Sequence, residues 1–254
     1  MSSPQAAQAQ AESHPSLVLF IGQRNYSSWS LRPWLLLRQL GIAFEERRVH
    51  VAGQGFNPAL HGAHSPSGVV PVLHGPAGLR VWDSLAICEW AAEQAPGYPA
   101  WPADARARAT ARSLAAEMHA GFAAVRAALP FNIKFAMPRG AAVVLDEAAA
   151  AQVARLEAAW AGARREFGSC TSHPFLFGVF GAVDAMFAPI AFRFQTYGVR
   201  LADGDAAAYA AALLALPAMR EWETAALAEA DPLSHYDAMA VAAGAVLRIA
   251  APQT

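Results

Sequence analysis

A change of texture near residue 97 constrains the fold more than any other feature of this chain. Up to Gln94, short apolar and β-branched runs alternate with helical periods; beyond Tyr98-Pro-Ala-Trp-Pro102 strand signals fade and alanine-rich helical periods take over. An alternating α/β half followed by a helical half excludes sandwiches, β-barrels and uniform helical arrays. The expected division is a flexible leader over 1–15, an α/β domain over 16–96, a linker over 97–103 and an all-α domain over 104–254.

Within the first half, Leu17 to Gly22 has the length and content of a buried strand, and Leu31 to Leu40 recurs at helical spacing with Gly41 as its stop. Pro33 is expected in the first helical turn and Ser30 at the cap. Phe44 to His50 reads as a charged edge strand, Ala52 to Gly68 as irregular with one short helix near Phe56 to His61, and Val69 to His74 as a strand carrying Pro71. A turn at Gly75 to Gly78 leads into Leu79 to Trp82, after which Asp83-Ser84 caps a helix from Leu85 to Gln94. The order is β-α-β, then β-β-α. In the second half, Asp104–Leu129, Asp146–Phe167, Ala182–Tyr197, Asp205–Leu214 and Pro217–Glu229 make about five helices.

Composition removes several function classes. Apolar residues make up 55% and charged ones 15%, so extensive disorder is excluded, and a net charge of −1 without a basic block leaves no footprint for nucleic acid or an anionic membrane. Cys88 and Cys170 stand apart with no Cys-x-x-Cys pair; they read as small buried residues, and no His, Asp or Glu cluster has metal-ligand spacing. Residues 1–15 lack the charged start and apolar centre of a secretion signal, and no run is long enough to cross a bilayer, so cytoplasmic residence is the expectation.

The chemistry is expected at Ser27-Ser28-Trp29-Ser30-Leu31-Arg32-Pro33-Trp34, where a strand turns into a helix. A helix start presents unpaired N–H groups and a partial positive charge, and so stabilises an anion placed over it.

Three motifs occur in order: this Ser-Ser-x-Ser-x-Arg turn, Val70-Pro71 at the third strand, and Asp83-Ser84 at the helix after the hairpin. Together they resemble the cytosolic glutathione transferase family, from Leu17 to about Glu229, and the opening turn is most similar to the bacterial, zeta-like serine type. The resemblance implies an α/β thioredoxin-like N-terminal domain plus an all-α C-terminal domain. It also implies glutathione as co-substrate, no metal, and a two-fold homodimer.

The same resemblance assigns roles. Ser27, or Ser28 in its place, would donate a hydrogen bond to the glutathione sulfur and hold it as the thiolate. Val70, ahead of a cis Pro71, would pair main chain to main chain with the cysteinyl unit, Asp83 and Ser84 would meet the γ-glutamyl end, and Trp29 would lie against the ligand. Val69 stands where relatives carry lysine, which leaves His61 and His64 to compensate at the glycyl carboxylate. Met118, His119, Phe122 and Arg126 would line the pocket of a small hydrophobic electrophile, while Arg32 would form a structural ion pair. Gly181-Ala-Val-Asp184 stands where the family has Ser/Thr-x-x-Asp, making Asp184 a folding residue.

Three activities fit: transfer of glutathione to an electrophile in detoxification, glutathione-dependent cis–trans isomerisation of the maleylacetoacetate type, or binding with little turnover. The isomerase would need cations for a doubly anionic substrate, for which Arg126 and Arg193 are available. The absence of a cysteine in the Ser27 turn disfavours a disulfide reductase.

Overall fold

The computed structural model describes residues 17–50, 63–168 and 171–248. The leader, His61, Cys170 and the short helix expected near Phe56 to His61 lie outside the described residues.

β1 (Val18–Ile21) is the central strand expected of the Leu17 run, with Leu19 and Ile21 wholly buried. It pairs in parallel with β2 (Glu45–Arg48) and antiparallel with β3 (Val72–His74), which pairs with β4 (Arg80–Trp82), giving the order β2-β1-β3-β4. The charged β2 is at an edge, where its Glu and Arg side chains stay hydrated.

Two helices pack beside this sheet: α1 (Ser28–Gln39) and α2 (Ser84–Gln94). Pro33 falls in the second turn of α1, not the first. Its missing N–H therefore leaves the Trp29 carbonyl without the usual helical donor. The cap also differs from expectation: the Ser27 side chain accepts from the Ser30 N–H, so Ser27 is the N-cap and Ser30 lies one turn inside.

The helical half holds more elements than its sequence suggests. The expected long helix from Asp104 is broken into α3 (Ala105–Ala120) and α4 (Ala123–Ala128). Gly121 and Phe122 separate them, the latter with φ +62°, a conformation that ends a helix. Then come β5 (Phe135–Ala136), α5 (Glu147–Ala163), α6 (Ala182–Tyr197), α7 (Gly204–Ala215), α8 (Pro217–Ala228), α9 (Ser234–Ala242) and β6 (Val246–Leu247). Beyond the five helices expected, α9 and the β5–β6 pair are new. The architecture is a mixed α/β N-terminal half followed by a helical half.

α6 is the spine: nearly every residue is buried, and it touches α1, α2, α3 and α7. One apolar cluster consequently runs from Leu17 through Trp34 and Phe187 to Trp222. The N-cap of α6 is Gly181, whose N–H donates to Asp184 Oδ2 at 2.8 Å. Glycine cannot supply the reciprocal hydroxyl, and packing explains the choice. A Cβ at Gly181 would lie 2.7 Å from the Ala100 carbonyl oxygen, which accepts from Ala182 N at 2.8 Å. Gly181→Ser is therefore expected to destabilise by about 1–3 kcal/mol although it completes a capping pair. Urea unfolding checks this, and an unchanged or higher midpoint would show that the Ala100 carbonyl yields.

Candidate functional site

Three segments meet at the end of β1. A Cβ built on Gly22 would lie 3.2 Å from Ser27 Cβ and 3.3 Å from Val70 Cγ2, so the start of α1 and the segment before β3 close around this glycine. The Val70–Pro71 bond is cis. Ser27 is half-buried at the mouth of α1; its hydroxyl donates to the Ser30 hydroxyl oxygen at 2.7 Å, which also accepts from Gly22 N at 3.2 Å. Val69 is exposed, and its carbonyl accepts from the Ser65 hydroxyl. His64 stacks on Phe20 at 4.4 Å and its carbonyl bonds the His74 ring at 2.7 Å, so it is tied into the sheet.

Ser28 points elsewhere. It is buried, and its hydroxyl accepts from Arg193 Nη2 at 3.4 Å. Trp29 packs edge-on to His119 at 5.3 Å, and the Arg32 and Arg126 guanidiniums lie 4.3 and 4.9 Å from its ring centroid. Ser27 and Ser28 thus face different surroundings, one toward Val70 and the other toward α6.

Asp83 caps α2 through Oδ1, which accepts from Leu85 N at 2.8 Å, while Oδ2 lies 3.3 Å from His119 Nε2. Its φ of +76° is unusual for a residue with a side chain, a conformation sustained only by its surroundings. Ser84 is buried, with Arg32 Nη1 3.5 Å from its hydroxyl.

Arg32 departs from expectation. It forms no ion pair among the described residues: it is wholly buried, and burial, then repulsion by Arg126, pushes its pKa down to about 9. Arg193 is pushed to about 9 by the same two causes in the same order. Of the expected electrophile pocket, Met118 and Phe122 are in the core, His119 is half-buried against Asp83 and Trp29, and Arg126 bonds the carbonyls of Met118 and Gly121.

What local sequence reading missed is the grip of the helical half on the loop before Ser27. Glu229 is buried and accepts from Arg24 N at 2.8 Å and Asn25 N at 3.0 Å. Asn25 Oδ1 accepts from Ile133 N and Lys134 N, both at 2.7 Å, and Trp222 Nε1 donates to the Arg24 carbonyl. Tyr26 donates to Asp237 at 2.9 Å. These partners are a hundred or more residues away, and no local signal marks them.

Among the described residues there is no group of His, Cys, Asp or Glu able to hold a metal ion, and no helix is long and apolar enough to cross a membrane.

Residues 26–94 match the family model for the glutathione S-transferase N-terminal domain. A glutathione transferase homolog from Burkholderia gl BGR1, with bound glutathione, is similar at 22% identity and a TM-score of 0.60, the match covering 84% of this chain and 99% of that one. The theta class glutathione S-transferase from Xanthomonas axonopodis pv. citri, also with glutathione bound, is similar at 24% identity and 0.58, covering 86% and 99%. The Tau class enzyme MiGSTU from mango, Mangifera indica, is similar at 18% and 0.63, covering 91% and 99%. No curated protein matches the chain by sequence. The chain therefore has the two-domain fold of the glutathione transferases, and its segment 26–94 matches the N-terminal domain of that family.

Proposed function

We propose that the protein is a glutathione transferase in which the Ser27 hydroxyl holds the sulfur of bound glutathione as thiolate for attack on a small electrophile. The observation that carries this is the juxtaposition of a half-buried hydroxyl at a helix N-terminus with Val70 ahead of a cis proline, in a fold whose similar structures bind glutathione. The helix start adds positive potential, and a hydrogen bond from Ser27 to a charged sulfur is stronger than one to a neutral thiol, so the thiol pKa falls. The sulfur lone pair then forms a bond to the electrophilic carbon while the leaving group departs with its electron pair; no general base is required.

Val70 would exchange main-chain hydrogen bonds with the cysteinyl unit, and Ser84 with Asp83 at the start of α2 would receive the γ-glutamyl end. Trp29 and His61 complete the glutathione contacts in this reading, with His119 and Arg126 toward the electrophile; Met118 and Phe122, buried in the core, form no part of that pocket. The working unit is a two-fold homodimer, which a monomeric mass in solution would contradict.

Calorimetric titration with glutathione tests the core of the reading. Binding in the millimolar range or tighter is expected, and absent binding would remove both the transferase and the isomerase. Consumption of glutathione with a chlorinated aromatic would assign transfer, whereas turnover of maleylacetoacetate without net consumption would assign isomerisation.

A further inference from the structure

The turn that leads into Ser27 satisfies only part of its own backbone. The N–H groups of Tyr26 and Ser27 donate back to the Gln23 carbonyl at 3.1 and 2.8 Å, which ties Gln23 to Ser27 as one hydrogen-bonded unit. The N–H groups of Arg24 and Asn25, between them, face the helical half. Two successive N–H groups aimed the same way make a small concave site for an anion. Glu229 fills it: Oε1 accepts from Arg24 N at 2.8 Å and Oε2 from Asn25 N at 3.0 Å.

This carboxylate stands in a costly place. Its side chain is only 3% exposed, and Glu229 is the C-cap residue of α8, where the partial negative charge of the helix end disfavours an anion. Arg48 Nη1 is 3.4 Å from Oε1, but that guanidinium is exposed and shared with Asp231 at 3.2 Å. Lys134 bonds the Glu229 carbonyl, not its carboxylate. The two turn N–H groups are therefore closer to the buried charge than its cation is, and charge-assisted bonds of that kind offset desolvation. From the other side, Ile133 N and Lys134 N hold the side chain of the wholly buried Asn25. A displacement at Arg24 and Asn25 is thus passed along the unit to Ser27, two residues on.

We propose that Glu229 is a positioning residue for thiol activation: by fixing the Arg24 and Asn25 N–H groups it sets the Ser27 hydroxyl where the glutathione sulfur is to be held. This inference rests on the thiol-transfer reading above. The bond from Ser27 to sulfur depends steeply on distance and angle, so a shift of about 1 Å in the turn lowers the rate more than it lowers binding. The helical half in this way takes part in activating a thiol that the α/β half binds.

The test is a double-mutant cycle of Glu229→Gln with Ser27→Ala in the full-length protein. Its readouts are kcat with a chlorinated aromatic, the KM for glutathione, and the pH titration of bound-thiolate absorbance. Glutamine has nearly the same shape; it keeps one acceptor oxygen but sets an amide donor against the second N–H. Glu229→Gln is expected to lower kcat about tenfold, keep KM within about threefold and move the bound thiol pKa toward that of free glutathione. In the Ser27→Ala background the same substitution should change kcat by less than about twofold, because a residue that acts through Ser27 has nothing left to position. Equal losses in the two backgrounds, or an unmoved thiol pKa in Glu229→Gln, would overturn the inference and leave the transferase reading standing. A bound thiol that titrates like the free one in the wild type would remove that reading and the role of Glu229 with it. Glu229→Asp, which keeps the charge but withdraws it by one methylene, gives the same comparison if Glu229→Gln melts early.

Discussion

Ser27→Ala is expected to reduce glutathione transfer about 100-fold at neutral pH, the rate equivalent of ~2–3 kcal/mol for a hydrogen bond to a charged group. The KM for glutathione should change little if, as proposed, Val70 and the start of α2 hold the remainder of the tripeptide. The thiolate absorbance of bound glutathione, titrated against pH, should show its pKa returning toward that of the free thiol. Ser27 also caps α1, so the variant should lose about 1 kcal/mol of stability. That loss cannot imitate the kinetic effect, since a protein that remains folded keeps its active fraction. Ser28→Ala is the matched control: it removes the acceptor of Arg193 Nη2, leaves the Leu129 carbonyl to Nη1, and leaves the cap intact. Unchanged turnover in Ser27→Ala together with abolished turnover in Ser28→Ala would move the role to Ser28.

Asp184→Ala is expected to destabilise the protein by about 3–5 kcal/mol, because it strips partners from two buried N–H groups. These are Gly181 N at 2.8 Å and Leu176 N at 3.3 Å; the Tyr209 hydroxyl stands close but outside hydrogen-bonding geometry. Burial outweighs these donors and lifts the Asp184 pKa from its ordinary 3.8 to about 7. The sign is unusual for a carboxylate. A raised folded-state pKa means that the folded protein binds the proton more tightly than the unfolded chain. The contribution of Asp184 to stability is therefore fully present below about pH 4, falls as pH rises toward about 7, and is constant above. Asp184→Asn keeps an acceptor for the Gly181 N–H and has no proton to exchange. The stability difference between wild type and Asp184→Asn should thus drift by a few kcal/mol across that window in equilibrium unfolding. A flat difference would show that the carboxylate stays ionised in the fold.

The structure corrects the sequence reading at places with one feature in common. Ser30 and Ser27 are both sound capping residues, and which of them caps depends on where the chain leaves β1. Arg32 on an apolar helix face suggests an ion pair, because buried charge ordinarily finds its opposite. That rule is silent when the neighbours are two further arginines from α4 and α6. The break at Gly121 and Phe122 interrupts an otherwise continuous alanine-rich period, and β5–β6 is too short to leave a pattern. Conversely, β1, the charged edge strand β2, the hairpin turn and α6 carried periodic or turn signals and formed close to their expected bounds, whereas the strand expected from Val69 begins only at Val72, after Pro71.

What this sequence determined unaided was the order of its elements and the α/β-to-helical division. Those depend on hydrophobic period, caps and turns, which act over a few residues. Tertiary structure alone decided the different surroundings of the two adjacent serines, the glycine at position 181, and the grip of Glu229 on Arg24 and Asn25. It also decided the gathering of Arg32 and Arg126 on the Trp29 ring. Contacts between residues a hundred or more positions apart leave no trace in local pattern, because their energy depends on where the chain returns in space.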